Sequence, residues 1–135
     1  MLKAFGLLLL FVVPSLSVAQ DGTVVEKTIY TVHDSVWLQL QAFDVGLAAK
    51  MKDSVDFFRI TYLSDGLKVT GFIAEPKAKG SYPCIISNRG GNRDFGKWNP
   101  LGILYFLGRM ASWNYVVVAS QYRGNDGGEG MEEFG

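Results

Sequence analysis

The chain has 135 residues, which is room for one domain or for part of a larger one. Its 13 basic and 13 acidic residues cancel, which argues against a nucleic-acid partner or a polybasic membrane patch. Hydrophobic residues make up 48% of the chain, enough for a folded core, and a single cysteine, Cys84, excludes an internal disulfide framework.

Met1 to Gln20 has the pattern of a secretory leader. Lys3 supplies the positive end, Ala4 to Val13 is apolar, Pro14 breaks the run, and Ser17-Val18-Ala19 is a small-x-small cleavage pattern. An apolar run of about ten residues is short of the ~20 needed to span a bilayer. The expectation is cleavage near Ala19 and a secreted or periplasmic protein, with no membrane contact afterwards. Losing Lys3 leaves 12 basic against 13 acidic residues. Residues 20–55 form a lead-in. Thr28 to Val32 reads as a short strand or an extended segment, and His33, the only histidine, as a surface residue on a loop. No second histidine or cysteine lies near it to build a metal site. Across Val36 to Met51, Leu40, Phe43, Leu47 and Met51 fall at helical spacing, which predicts one amphipathic helix with these four on its buried stripe.

From Asp56 the period changes to two. Phe58, Ile60 and Tyr62 alternate with Arg59 and Thr61. After Ser64-Asp65-Gly66 the alternation resumes through Leu67, Val69, Gly71 and Ile73. Two such runs joined by a short Asp-Gly turn predict an antiparallel hairpin. Tyr82 to Asn88 is a short apolar run in which Cys84 reads as a small buried hydrophobe. It ends in Arg89-Gly90-Gly91-Asn92-Arg93. Asn99-Pro100 opens a helix, because asparagine caps and proline suits the first helical position. Leu104, Leu107 and Ala111 share one face of that helix, and Trp113-Asn114 closes it. Tyr115 to Ala119 has no alternation and reads as a strand buried on both faces, as in a parallel sheet. A glycine-rich turn through Gly124, Gly127, Gly128 and Gly130 follows. The segment from Ile85 to Ala119 is therefore a βαβ crossover, and the fold class is α/β.

The usual nucleotide and metal motifs are missing. The chain contains no GxGxxG, no GxxxxGK[ST] and no HExxH. What remains is two strand-ending loops, S-N-R-G-G-N-R and Q-Y-R-G-N-D-G-G-E-G, flanking a βαβ unit that follows a hairpin. This pattern resembles the start of the catalytic domain of α/β-hydrolases, in particular the prolyl oligopeptidase family of serine peptidases. The resemblance runs over residues 57–135. It rests on Ser64 to Val69 with Gly71-Phe72, on Tyr82-Pro83 and the strand ending at Gly90-Gly91, on Met110 to Val118, and on Tyr122-Arg123-Gly124 with Gly127-Gly128-x-Gly130 and Phe134. Arg89 stands where the family usually has histidine before Gly-Gly, and Asn114 replaces a common glycine.

The resemblance implies an α/β-hydrolase-like sheet, here its N-terminal portion only, cut before the nucleophile elbow. No serine has glycine two residues before and two after, and no histidine follows His33. The nucleophile, acid and histidine of a triad are therefore expected beyond Gly135. The piece would supply the oxyanion loop, with Gly90, Gly91 and Asn92 as the candidate positions. Losing one such backbone donor costs about 3 kcal/mol of transition-state stabilisation. Arg89, Tyr122 and Arg123 are candidates for substrate binding. For the arginines, Arg93 included, pinning loops to carbonyls is the alternative. Asp126, Glu129, Glu132 and Glu133 read either as a site for a peptide amino terminus or a metal, or as a solvated acidic loop. The implied reaction is acyl transfer to water on a peptide or an ester, with no cofactor and no metal, a small-molecule or peptide substrate as partner, and no nucleic acid. The roughly 35 residues between the leader and the hairpin are too few for a β-propeller of several four-stranded blades. A reading of another class stays open: an exported, non-catalytic binding module with an aromatic patch of Tyr82, Trp98, Trp113 and Tyr122.

Overall fold

The computed structural model describes residues 20–91 and 95–132; the expected leader, Asn92 and Arg93, and Glu133 and Phe134 lie outside them. Strand β1 (Val24–Ile29) is followed by helices α1 (Asp34–Phe43) and α2 (Val45–Ser54), then by β2 (Val55–Ser64), β3 (Leu67–Pro76) and β4 (Cys84–Ser87). A helical run over residues 100–111 comes next. It consists of α3 (Pro100–Gly102), a π-helical segment (Ile103–Gly108) and α4 (Arg109–Ala111). Strand β5 (Val116–Ser120) closes the set. Among the described residues no helix is long and apolar enough to cross a membrane.

The short strand or extended segment expected over Thr28 to Val32 lies earlier in the chain, as the exposed strand β1, which pairs antiparallel with β2, so the lead-in belongs to the same sheet as the hairpin. The expected single helix is two helices, broken at Asp44. That residue is extended (φ −156°, ψ 92°), and its Oδ1 accepts the Leu47 N–H at 2.9 Å while its own N–H donates to Leu40 O at 2.8 Å. A short acidic side chain that caps the next turn competes with helix continuation, which is why the 3.6-residue pattern did not carry through. Leu40 and Met51 are fully buried as expected of the stripe, but Phe43, at the break, is 76% exposed. His33 caps α1, with Ser35 N–H donating to its Nδ1 at 3.2 Å.

The hairpin turns on Asp65 and Gly66, both left-handed (φ 49° and 75°), which is the type I′ geometry that matches strand twist. Strand order is β1-β2-β3-β5-β4. β4 and β5 are parallel, and every other pair is antiparallel. β3 therefore sits between β2 and β5, and Val69 to Ala74 are buried whichever face they point to, overriding the alternation. Gly71 permits the approach of β5: a Cβ there would stand 2.4 Å from Ala119 O.

The core lies between one sheet face and the helices. It joins Phe57, Phe72, Ala74, Val117 and Ala119 to Leu40, Met51, Ile103, Leu104, Leu107 and Ala111. Each fully buried leucine contributes roughly 1.5–3 kcal/mol. Gly108 lets the helical run lie close, since a Cβ would meet Met51 Sδ at 2.6 Å and Phe57 Cζ at 2.8 Å. Two burial expectations need correction. Cys84 is exposed, because β4 is the edge strand and residues 84 and 86 point away from the helices. In β5 only Val117 and Ala119 are fully covered; Val116, Val118 and Ser120 on the other face are half-buried.

Candidate functional site

Because β4 and β5 are parallel neighbours, their carboxyl ends and outgoing loops come side by side. In open α/β sheets this is the edge where ligands bind. Arg89 leaves β4 and turns inward, 5% exposed. Its Nη1 donates to Gln121 O at 3.1 Å and its Nη2 to Phe95 O at 3.0 Å. The guanidinium also lies 5.6 Å from the Tyr122 ring centroid and 3.9 Å from Glu132 Oε1. Tyr122 completes the link, its hydroxyl donating to Arg89 O at 2.9 Å. Arg89 and Tyr122 thus come together, each binding the other's loop. Arg123 goes elsewhere: it reaches Ser64 Oγ at 3.2 Å and the Asp65 carboxylate, at the hairpin turn.

Gln121 is the residue that sequence reasoning missed. It is fully buried. Its Nε2 donates to Trp98 O at 2.9 Å and its Oε1 accepts the Trp98 N–H at 3.0 Å, so one amide satisfies both backbone groups of a residue 23 positions away. Its own N–H donates to Thr70 O at 2.9 Å. The available signal was a polar residue directly after an apolar strand, where only full hydrogen bonding makes burial tolerable.

Held this way, segment 95–99 folds back over the Gly90-Gly91 turn. Gly96 (φ 73°) leaves no room for a Cβ, which would stand 1.8 Å from Gly90 O. Gly91 (φ 78°) faces Phe95, where a Cβ would come within 2.2 Å of Cδ1. Gly90 differs: it is exposed, and nothing lies within 4 Å of its Cβ direction. Among the described residues, no hydrogen bond engages the N–H of Gly90 or Gly91. Gly90 and Gly96 border a 280 Å³ cleft whose other walls include Asn88, Trp98, Asn99, Gly102 and Phe106. Asn99 caps the helical run behind it, accepting the Gly102 N–H at 2.8 Å. The π-helical segment shifts the ladder there; such segments are frequent at functional sites.

Among the described residues of the last loop, Asp126 and Glu129 are engaged with the protein. Asp126 Oδ2 is 2.8 Å from Arg59 Nη1, and its Oδ1 is 4.0 Å from Lys97 Nζ. Arg59 Nη2 also donates to Asp126 O at 2.6 Å. Glu129 accepts the Lys68 N–H at 2.9 Å. Tyr30 lies in the same neighbourhood, lining a cleft with Arg59, Lys97 and Asp126. Burial first, then the Asp126 charge, pushes its pKa above the ordinary 10.0, against the pull of Arg59. Among the described residues no group of three or more His, Cys, Asp or Glu is placed to hold a metal ion.

No protein-family model and no solved structure matches the chain. Over 80 residues, 59% of its length, the chain is 45% identical to a Bacillus subtilis (strain 168) protein named uncharacterized peptidase YtmA. The chain spans 30% of that relative's length, so the similarity is to one part of a protein that carries a peptidase name.

Proposed function

We propose that this chain forms the opening part of the catalytic domain of an exported serine hydrolase with an α/β-hydrolase-type sheet. The observation that carries the reading is the Gly90-Gly91 turn at the carboxyl end of β4, where Gly90 lines an open cleft and, among the described residues, no hydrogen bond engages either N–H. Backbone donors fixed in that way are what a developing oxyanion needs. The strand order supports the reading: a hairpin, then two parallel strands, the later one inserted beside the hairpin. The peptidase name of the relative favours peptide over ester as the acyl donor. Export rests on Lys3, the apolar run 4–13 and Ser17-Val18-Ala19.

In this reading a serine oxygen attacks the acyl carbon, and the carbonyl oxygen takes up negative charge. The leaving amine or alcohol departs with a proton, and water then releases the acid from the acyl-enzyme. The part played by this chain is to present Gly90 and Gly91 N–H to that oxygen, while Arg89 and Gln121 hold the turn in place. No serine of the chain lies in G-x-S-x-G, so the nucleophile belongs to other sequence. The test is to read the gene past the Gly135 codon and treat its full-length product with a fluorophosphonate. The expected result is a G-x-S-x-G within about a hundred residues, with its serine labelled. Absence of the motif, or an unlabelled serine, overturns the proposal.

A further inference from the structure

Tyr122 stands in the left-handed region at φ 65°, where a bulky L-residue is an outlier and glycine would be free of strain. An outlier of this kind directs attention to what its side chain does. The backbone is held there by Ser120, whose Oγ accepts the Tyr122 N–H at 2.9 Å and lies 2.7 Å from the Tyr62 hydroxyl on β2. From that position the Tyr122 hydroxyl crosses to the β4 loop and donates to Arg89 O at 2.9 Å, 33 residues away in sequence.

That acceptor is one half of the Arg89–Gly90 peptide. The peptide is trans and planar, so its C=O and N–H point in opposite directions. Fixing the carbonyl on Tyr122 therefore fixes the Gly90 N–H on the opposite side. Gly90 itself resists rotation little: it has no Cβ, nothing lies within 4 Å of where one would stand, and among the described residues no hydrogen bond engages its N–H. The Arg89 guanidinium donates to Gln121 O and Phe95 O. Those bonds anchor a side chain, whereas the Tyr122 bond acts on the backbone of the turn.

We propose that Tyr122 is a positioning residue: by holding Arg89 O it sets the direction in which the Gly90 N–H is presented. The inference rests on the hydrolase reading for the use made of that N–H, and adds the group that aims it. A peptide plane that turns over would present its carbonyl in place of its donor, and a carbonyl oxygen repels a developing oxyanion. The strained backbone at Tyr122 is what brings a hydroxyl to the one atom that prevents this.

The test uses the full-length gene product and the rate of its labelling by a fluorophosphonate. The serine oxygen displaces fluoride at phosphorus, and the phosphoryl oxygen takes the place of the acyl oxyanion. Tyr122→Phe removes the hydroxyl and keeps the ring beside the Arg89 guanidinium. The maximal labelling rate is expected to fall about tenfold, the effect of one hydrogen bond, while the half-saturating probe concentration stays within about twofold. Tyr122→4-aminophenylalanine, which can donate, restores the rate, and Tyr122→4-methoxyphenylalanine, which cannot, leaves it low. A heteronuclear spectrum of the Arg89 carbonyl carbon and the Gly90 amide needs no turnover: in Tyr122→Phe the carbonyl resonance moves upfield and the Gly90 amide broadens. An unchanged maximal rate, a loss confined to the half-saturating concentration, equal rescue by the methoxy variant, or an unmoved Arg89 carbonyl each overturns the proposal. A shifted carbonyl in a protein whose serine is never labelled sinks the hydrolase reading alone. A labelled serine that keeps the parent's rate in Tyr122→Phe sinks the positioning role alone.

Discussion

The loops that follow β4 and β5 leave the same sheet edge from adjacent parallel strands, and they are held very differently. The β5 loop is fastened along its length to the hairpin. Gln121 N–H donates to Thr70 O at 2.9 Å, Glu129 N–H to Lys68 O at 2.7 Å, and Arg59 grips Asp126 by both backbone and side chain. It even holds two non-glycine residues, Tyr122 and Asp126, in the left-handed region (φ 65° and 51°), each at a cost of about 1 kcal/mol or more. The described part of the β4 loop is held at Arg89 and, through the Gln121 amide, at Trp98, and among the described residues no hydrogen bond engages the N–H of Gly90 or Gly91. The difference teaches that one loop is scaffold and the other is the surface it supports. Backbone donors are of use to a ligand only where secondary structure has not consumed them.

That contrast can be broken most completely at Gln121. Gln121→Leu removes the clamp and leaves the half-buried Trp98 N–H and C=O without their partner. The expected loss is about 3 kcal/mol of unfolding free energy by urea titration, with faster amide exchange across residues 95–99. A loss under ~0.5 kcal/mol, the scale of an ordinary surface change, would show that the two loops are independent. Gly96→Ala is next. It needs a positive φ and a Cβ position 1.8 Å from Gly90 O, so the turn must move. About 2 kcal/mol should be lost, and the amide resonances of Gly90 and Gly91 should shift.

The two glycines of the turn sharpen the comparison. Gly91→Ala meets Phe95 and a left-handed φ, and should cost about 1 kcal/mol. Gly90→Ala meets open space, and should stay within ~0.5 kcal/mol of the parent in the same titration. Equal effects would contradict the description of Gly90 as the open member. The smallest effect concerns Tyr30. Its folded pKa is raised, so the neutral hydroxyl is favoured in the folded state. The associated stability is fully present below the unfolded value near 10.0 and is lost as pH rises through the folded value. Tyr30→Phe should match the parent at neutral pH and retain more of its stability above pH 10. Parallel decline of both proteins in that range would assign the alkaline loss to other groups.

Much of the fold was legible in the sequence. Ser64-Asp65-Gly66 announced the hairpin turn, Asn99-Pro100 the start of the helical run and Asn114 its left-handed end (φ 68°). Leu104, Leu107 and Ala111 did face the core together. The Gly90-Gly91 turn stood out by its glycines. Its supports did not: Gln121 and Trp98 are 23 residues apart, and no local pattern pairs them. Cys84 and Ile86 have the apolar character of a covered strand, yet lie exposed (Ile86 at 74%), because an edge position depends on which strand comes next in space.

By itself the sequence determined those features that depend on a residue's own backbone preferences: turns that need φ > 0, helix caps, and the period of apolar residues. Only the tertiary structure decided which strands became neighbours, that Phe43 would be turned outward, and that Arg89 would face carbonyls 32 and 6 residues away. The physical reason is that burial and hydrogen-bond satisfaction are properties of the packed whole. A buried amide or guanidinium finds its partners only after distant segments have met.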